Sequence, residues 1–389
     1  MRTRTVIFFL AAFTIIASFA ASSPAQHQGV PANDLGRNAA LRYWQAFAQM
    51  PKVDEQQQKL LAAAPGAGAS HPDAMKLVES GKDALRYLHR GAAIGPCDWG
   101  LHREDGPYLL LPHLAKGRDL ARLACLSARD HFAKGEQGPG VDTAADAIVL
   151  ARHLSTDLTA IISYLVQINI ERTSIETLGA HLAGLDAPAL DQLDRRLASL
   201  PPGGSIRACM RVERESFLDW AIAQLRQMND QDPWKERVLG PLGVNESGDS
   251  KAKLDAAVAA AGGTRQGVLK RLEALRTYYD EIGAIAGLPR EQFRAKLADL
   301  EKRTRDNPFA AAVLPTMGKV YDRDAAGRTR FTMLKAAIAV ARGGPEKARE
   351  FKDASGAPLE YQASSDGFEL RSKVVDEDKP VMLRVGGRR

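Results

Sequence analysis

Cysteine is scarce: Cys97, Cys125 and Cys209 are the only three in 389 residues. An odd count leaves at least one thiol unpaired, and the spacing matches neither a disulfide framework nor a zinc ribbon. Cys125 and Cys209 sit in helical patterns among apolar neighbours, where a thiol behaves as a small hydrophobe. Spacing alone leaves a Cys97–Cys125 bridge open. Charge of one sign is also lacking. Lys and Arg number 53 against 47 Asp and Glu, and removing Arg2 and Arg4 from the +6 balance leaves +4. That excess is small and interspersed along helices, so it argues against a nucleic-acid partner and for solvated faces. Histidine is missing from the second half: all eight fall between His27 and His181, which confines imidazole chemistry to the first. No two of them stand at the i, i+4 spacing of a helical ligand pair.

Motifs of known mechanics are missing too. There is no Gly-x-Ser-x-Gly elbow, no His-Glu-x-x-His, no Gly-x-x-x-x-Gly-Lys phosphate loop, no dinucleotide fingerprint and no Cys-x-x-Cys. Asp322-Arg323-Asp324-Ala325-Ala326-Gly327 starts like a calcium loop. It fails at its fifth position, Ala326, and at its twelfth, Met333, where a bidentate Glu is required. A turn between helices is the expectation there. Carboxylate pairs for glycoside chemistry leave no local spacing to read.

What is present begins with Arg2 and Arg4 before the apolar run Val6–Ala17 and a tail of small residues, the pattern of a secretory signal. Cleavage fits after Ala20 or after Ala25, and an uncleaved anchor is the alternative because Thr5–Ala21 is near the lower limit for spanning a bilayer. No later segment resembles a span. The expected organisation is a leader over 1–25, a helical domain over 33–228, a linker over 229–250, a second helical region over 251–342 and a small β element over 353–386. About 360 residues follow the leader, enough for a sizeable core.

Helical periodicity runs from Asp34 to about Arg342. Asp34 is placed as the cap of a first helix carrying Leu41, Trp44, Phe47 and Ala48, closed by Pro51. After the break at 65–70, a second helix opens at His71-Pro72-Asp73 with Met75, Val78, Leu85 and Leu88 buried. Pro112 opens another with Leu114, Leu120, Leu123 and Leu126. Gly138-Pro139-Gly140 is read as a separator before Val141–His153. Leu154–Leu182 is apolar on most sides and therefore central. Asp186 with Pro188 opens a helix that Pro201-Pro202 stops, and Ser205–Met228 follows. Further helices are expected at 251–261, 264–286, 289–304, 308–321 and 329–342. In the tail, Pro358–Gln362 and Phe368–Ser372 alternate around Asp366-Gly367, a hairpin signal, and Val381–Val385 supplies a third strand. The fold class is mainly α, a multi-helix bundle or irregular array of helical hairpins with a small antiparallel hairpin or three-stranded sheet at its C-terminus.

The densest chemistry lies in "PCDWGLHRED", Pro96–Asp105, with His113 beyond it. Cys97, His102 and His113 with a carboxylate from Asp98 or Glu104 would make four zinc ligands, but their spacings match no common zinc pattern. The simpler expectation is structural. Trp99, Tyr108 and Leu109–Leu111 fold the loop onto the helices, Asp98 caps backbone donors, and the charged residues face water.

Two stretches carry a resemblance. The segment Cys97–Arg129 followed by the helix Leu150–Glu171 resembles a family of uncharacterised exported, mostly helical bacterial proteins. The ending Asp353–Ser372, Asp-x-x-x-Gly-x-Pro-Leu-x-Tyr followed by Asp-Gly-Phe, is similar to the terminal strands of pseudopilins of type II secretion. The start carries neither the cleavage glycine nor the fifth-position glutamate of a prepilin, and the resemblance supplies no catalytic residue. The expected function is a non-catalytic binding or scaffolding element of the envelope, periplasmic or secreted, with an unknown protein or envelope partner and no cofactor. The alternative is an exported hydrolase, metal-assisted or not, with its site in the Cys97–His113 loop. An accessory role in a secretion or pilus-type system rests on the tail.

Overall fold

The chain's computed structural model describes residues 36–61, 72–156, 158–240 and 248–387. The leader, Asp34 and the 65–70 break lie outside them. The described chain is mainly α, with a C-terminal three-stranded antiparallel sheet. It opens with α1 (Ala39–Ala48), α2 (Glu55–Leu61), α3 (Pro72–Ser80), α4 (Lys82–Ala92) and, after a loop, α5 (Pro112–Ala133). Then come α6 (Gln137–Thr156), α7 (Ile161–Leu182), α8 (Ala187–Ala198), α9 (Ile206–Val212) and α10 (Asp219–Gln227). The last four are α11 (Gly248–Ala260), α12 (Arg265–Ile285), α13 (Arg290–Arg303) and α14 (Ala310–Gly343). The strands are β1 (Glu360–Ser364), β2 (Gly367–Asp376) and β3 (Lys379–Val385). Among the described residues no helix is long and apolar enough to cross a membrane.

Side-chain caps set several starts. Asp186 accepts from Ala189 N at 2.9 Å, Ser205 from Ala208 N at 3.2 Å and Thr264 from Gly267 N at 3.1 Å, each satisfying a donor that a helix N-terminus leaves open. The first described helix is capped by Asn38, which accepts from Ala40 N at 3.0 Å, four residues beyond Asp34, which lies outside the described residues. With that shift of start, Tyr43 and Phe47 face the core while Leu41 points to solvent.

Helices α5, α6 and α7 form a central layer between two cores. On one side, α1, α3 and α4 bury Tyr43, Phe47, Leu77 and Leu88 against Leu120, Leu123, Leu150 and Leu154. On the other, Ile148, Ile168, Ile175 and Leu178 meet α8–α14 and the sheet. Burial on both sides explains why α7 shows little polar stripe, as its sequence implies. Its interior polar groups are paired: Gln167 and Arg152 both donate to Glu171 Oε1, at 3.1 and 2.9 Å, and Tyr164 donates to Asp324. The stretch expected as a linker is instead part of the larger core. Trp234, Val238 and Leu239 are buried in the same cluster as α7 and α14; residues 241–247 lie outside the described chain.

Several local expectations give way to packing. The helix expected from His71 is two, α3 and α4, split at Gly81, where an added Cβ would stand 2.5 Å from Leu123 Cδ2. Met75 faces solvent. Gly138-Pro139-Gly140 is the first turn of α6 and no separator, since proline needs no amide partner there. The apolar segment 154–182 is interrupted after Thr156, and α7 begins at Ile161.

The largest difference is α14, where the sequence pattern predicts two helices joined by a turn at 322–327. It runs unbroken for 34 residues. Tertiary contacts hold the turn-like residues in helix: Tyr164 bonds Asp324, and Arg323 Nη1 and Arg330 Nη2 pair with Asp376 of β2 at 3.0 and 2.7 Å. Gly327 lets Ile168 approach, with 3.3 Å from an added Cβ to Ile168 Cγ2.

At Glu213–Leu218, between α9 and α10, the backbone widens into a π-helical turn. Glu213 points inward and accepts from Ile161 N, the first residue of α7, at 2.8 Å. Burial raises its carboxyl to about 7. A raised carboxyl favours the fold below the unfolded value and loses that contribution as pH climbs through the folded one. Glu213→Gln keeps the acceptor and removes the charge, so urea unfolding at pH 8 is expected to show a gain of about 2 kcal/mol. That is less than the full shift gives, because the side chain keeps some contact with water. At pH 4.5 the gain should vanish.

The tail motif is a folding device. The Asp353 carboxylate accepts from Ser355 N at 2.8 Å, Ser355 Oγ at 2.6 Å, Ala357 N at 3.1 Å and Ser372 Oγ at 2.5 Å. These bonds hold its carboxyl below the usual range against the opposing effect of burial. Gly356 supplies the positive φ of the turn, and Leu359 is buried. Asp353→Ala should cost about 2–3 kcal/mol in urea unfolding, the scale of several bonds to one charged acceptor. The hairpin forms where Asp366-Gly367 pointed, but its loop is Ser365 and Asp366, with Ser364 paired to Gly367. Glycine is required there because Val385 O lies 2.0 Å from an added Cβ.

Candidate functional site

The loop from Ala93 to Leu111 climbs over the ends of α5 and α6, and Trp99 is its plug. The indole stacks on His113 of α5 at 4.6 Å between centroids, and its Nε1 donates to the His153 carbonyl of α6 at 2.8 Å. Tyr43, Trp44 and Phe47 of α1 close the remaining sides at 5.8, 5.9 and 6.1 Å. Below the plug, the Tyr43 hydroxyl and His153 Nδ1 share a hydrogen bond of 2.8 Å. Both histidines are 1% exposed. Neither nitrogen of His113, nor Nε2 of His153, makes a well-formed hydrogen bond among the described residues, and the Leu154 and Gly95 backbones favour a proton on the two rings only weakly against burial. Burial depresses each imidazole to about 4, so both are neutral at pH 7.

The polar residues of the loop take other places. Asp98 is exposed and turns the chain, its Oδ1 accepting from Gly100 N at 2.8 Å, while its backbone exchanges two hydrogen bonds with the Asn38 side chain. His102 lies in solvent beside Glu104 at 3.2 Å. Cys97 is buried, and Cys97, Cys125 and Cys209 are all thiols, so the Cys97–Cys125 bridge is not formed. His113 is inside and His102 outside, so the four zinc ligands conceivable from the sequence do not converge. Among the described residues no three His, Cys, Asp or Glu side chains are placed to hold a metal ion.

The loop's tip packs on the helices through Tyr108, Leu109 and Leu111, as its sequence implies, but leaves part of its apolar surface exposed. Gly106 has φ +57, and an added Cβ would lie 2.5 Å from Trp220 Cγ. Tyr108 touches Trp220 and donates to the Arg237 carbonyl at 3.1 Å. Tyr108 and Leu110 are nevertheless 53% and 54% exposed. Leu109 and Leu111, the alternating partners, pack against Leu158, Ala160 and Val212. Gly106→Ala combines backbone strain with displacement of Trp220 and is expected to cost about 1–3 kcal/mol, read as a lower thermal midpoint.

A second imidazole site escaped sequence reading. His89 of α4 donates from Nδ1 to Asp146 Oδ2 of α6 at 2.8 Å, and Arg196 of α8 holds the other oxygen. The Asp146 side chain is buried, whereas that of His89 is 62% exposed. The bond to Asp146 raises His89 above its usual value. A carboxylate that fixes one ring nitrogen and leaves the other to water prepares an imidazole for proton transfer. Asp146 lies 57 positions from His89 and 50 from Arg196, so no local spacing announces the three. Compared with protein-family models, with curated proteins and with solved structures, the chain shows no match to any.

Proposed function

We propose that the chain is an exported helical envelope protein that acts as a binding or scaffolding element, and that the tip of the Trp99 loop is its contact surface. The observation that carries this reading is the pairing of an anchored loop base with an apolar tip. Trp99 and Gly106 fix the loop to the helices while Tyr108 and Leu110 remain half exposed. Two large side chains half-exposed side by side on a fixed loop form a small apolar patch of the kind a partner can cover. The apolar run behind Arg2 and Arg4 supports the export half of the reading. The test is cell fractionation with N-terminal sequencing, comparing the natural chain with a Tyr108→Ser, Leu110→Ser variant of unchanged circular dichroism. The natural chain is expected to be processed and to sediment with the envelope, and the variant to move to the soluble periplasmic fraction. Recovery of both, unprocessed, in the cytosol would overturn the proposal.

The exported-hydrolase reading draws support from a different place, the oriented His89–Asp146 pair. Turnover of an ester or amide panel that disappears in His89→Ala and persists in His102→Ala would favour it over a binding role. Turnover unaffected by His89→Ala would remove that support.

A further inference from the structure

We propose that β1 is a self-pairing edge: two copies of the chain join antiparallel through residues 360–364, merging their three-stranded sheets into one. The strand order is β1–β2–β3, so β1 has a neighbour on one side only. At the opposite edge β3 is closed by α7, because Gly386 N donates to Gly179 O at 3.1 Å and Arg384 O lies 2.9 Å from a Cβ added at Gly179.

The hairpin fixes which backbone groups of β1 look outward. Ser364 pairs with Gly367 across a two-residue loop, so that pair exchanges both hydrogen bonds, and the alternation of an antiparallel ladder turns Glu360, Gln362 and Ser364 toward β2. The backbone groups of the odd-numbered positions point away. Two of these positions are served within the chain: Ala357 O accepts from Asp353 N at 2.8 Å, and Leu359 N donates to Phe351 O at 3.0 Å. The cover ends there. Among the described residues no backbone hydrogen bond from outside the sheet reaches Tyr361 or Ala363, and Ala363 is exposed. Open edges are normally blunted by lysine, proline, a bulge or an inward-pointing charge. β1 has none of these: its inward positions are Tyr361, packed on the Phe368 ring at 5.2 Å, and Ala363, and its register with β2 runs unbroken.

The order of residues in the strand selects a second copy as the occupant. With Gln362 at a two-fold axis, Tyr361 pairs with Ala363 of the second copy and Ala363 with its Tyr361, which uses the open amides and carbonyls of both edges reciprocally. Glu360 then faces Ser364 of the second copy instead of another carboxylate, and the half-buried Tyr361 meets a small residue. A slip of two residues would set Ala363 against Leu359, whose amide Phe351 already holds. The lengths agree as well. The incoming strand ends at its own Ser364, opposite Glu360, just short of the covered edge. This surface is independent of the loop tip.

Disulfide trapping of the full chain tests the pairing, since Cys97, Cys125 and Cys209 are buried and do not compete. At the two-fold axis the Gln362 Cα atoms of the two copies would stand about 4.5 Å apart, as in any pair without hydrogen bonds, within reach of a disulfide. Those of Glu360 would be separated by about 13 Å along the strands, out of reach. Under one mild oxidant, Gln362→Cys is expected to form a covalent dimer at least about 10-fold faster than Glu360→Cys, because a formed pair makes the reaction intramolecular. Adding Ala363→Pro removes an outward donor and leaves the bonds to β2 in place, so it should bring Gln362→Cys down to the Glu360→Cys rate with unchanged circular dichroism. Equal rates for the two single variants would overturn the proposal, whether or not the proline variant folds. Fast cross-linking of Gln362→Cys that survives Ala363→Pro in a folded chain would do the same.

Discussion

Between pH 7 and pH 4 the protein is expected to lose about 3 kcal/mol of stability for each of His113 and His153, and about twice that for the pair. The sign follows from the direction of the shifts. Burial depresses both imidazoles to about 4, while in the unfolded chain they titrate near 6.5. The unfolded state therefore binds the extra protons first. Stability from these groups is fully present above about pH 6.5 and drains away as pH falls toward the folded value. Glu213, raised to about 7, works against them in the same window. A Glu213→Gln variant should accordingly show a steeper acid loss than the natural chain. Urea midpoints at half-unit intervals from pH 7.5 to pH 4 would measure both slopes. A profile that is flat across this range, or that rises toward acid, would contradict the assignment.

Trp99→Ala is expected to cost about 3–5 kcal/mol, the range for deleting a large buried aromatic side chain. The indole is 7% exposed and contacts four rings. Its removal leaves a cavity above His113 and deprives the His153 carbonyl of a 2.8 Å donor. Trp99→Phe separates the two contributions. The phenyl ring retains most of the stacking and gives up the hydrogen bond, for a loss of about 1–2 kcal/mol. If alanine and phenylalanine prove equally mild in equilibrium unfolding, Trp99 is not the plug described above.

The helix starts show how much was legible locally. Asp186, Ser205 and Thr264 act as caps at the positions their residue types suggest, because a cap is a contact between residues three apart. The strand alternation of 368–372 and 381–385 survives for a similar reason, since period 2 is a property of the extended chain itself. Glu377 and Asp378 give a different lesson. Both have positive φ and form the two-residue turn between β2 and β3, although neither is glycine and no turn signal stood out.

The histidines mark the limit most clearly. The sequence showed eight imidazoles with no ligand spacing, and nothing in it set His113 and His153 apart from His102. They meet because α5 and α6 form a hairpin, with Tyr43 brought to them across 110 residues.

Taken alone, the amino-acid order determined a mainly helical chain, most of its helix starts and the β character of its tail. These depend on caps, prolines and periodicities acting within a few residues. Tertiary structure decided that 322–327 is helix, because Asp376, Tyr164 and Ile168 supply partners no turn would have. It also decided that two histidines lie buried beside one tryptophan, His113 stacked on the indole and His153 bonded to it through the backbone carbonyl. Desolvation and long-range pairing are properties of a packed interior, and they have no counterpart in the spacing of residues along a chain.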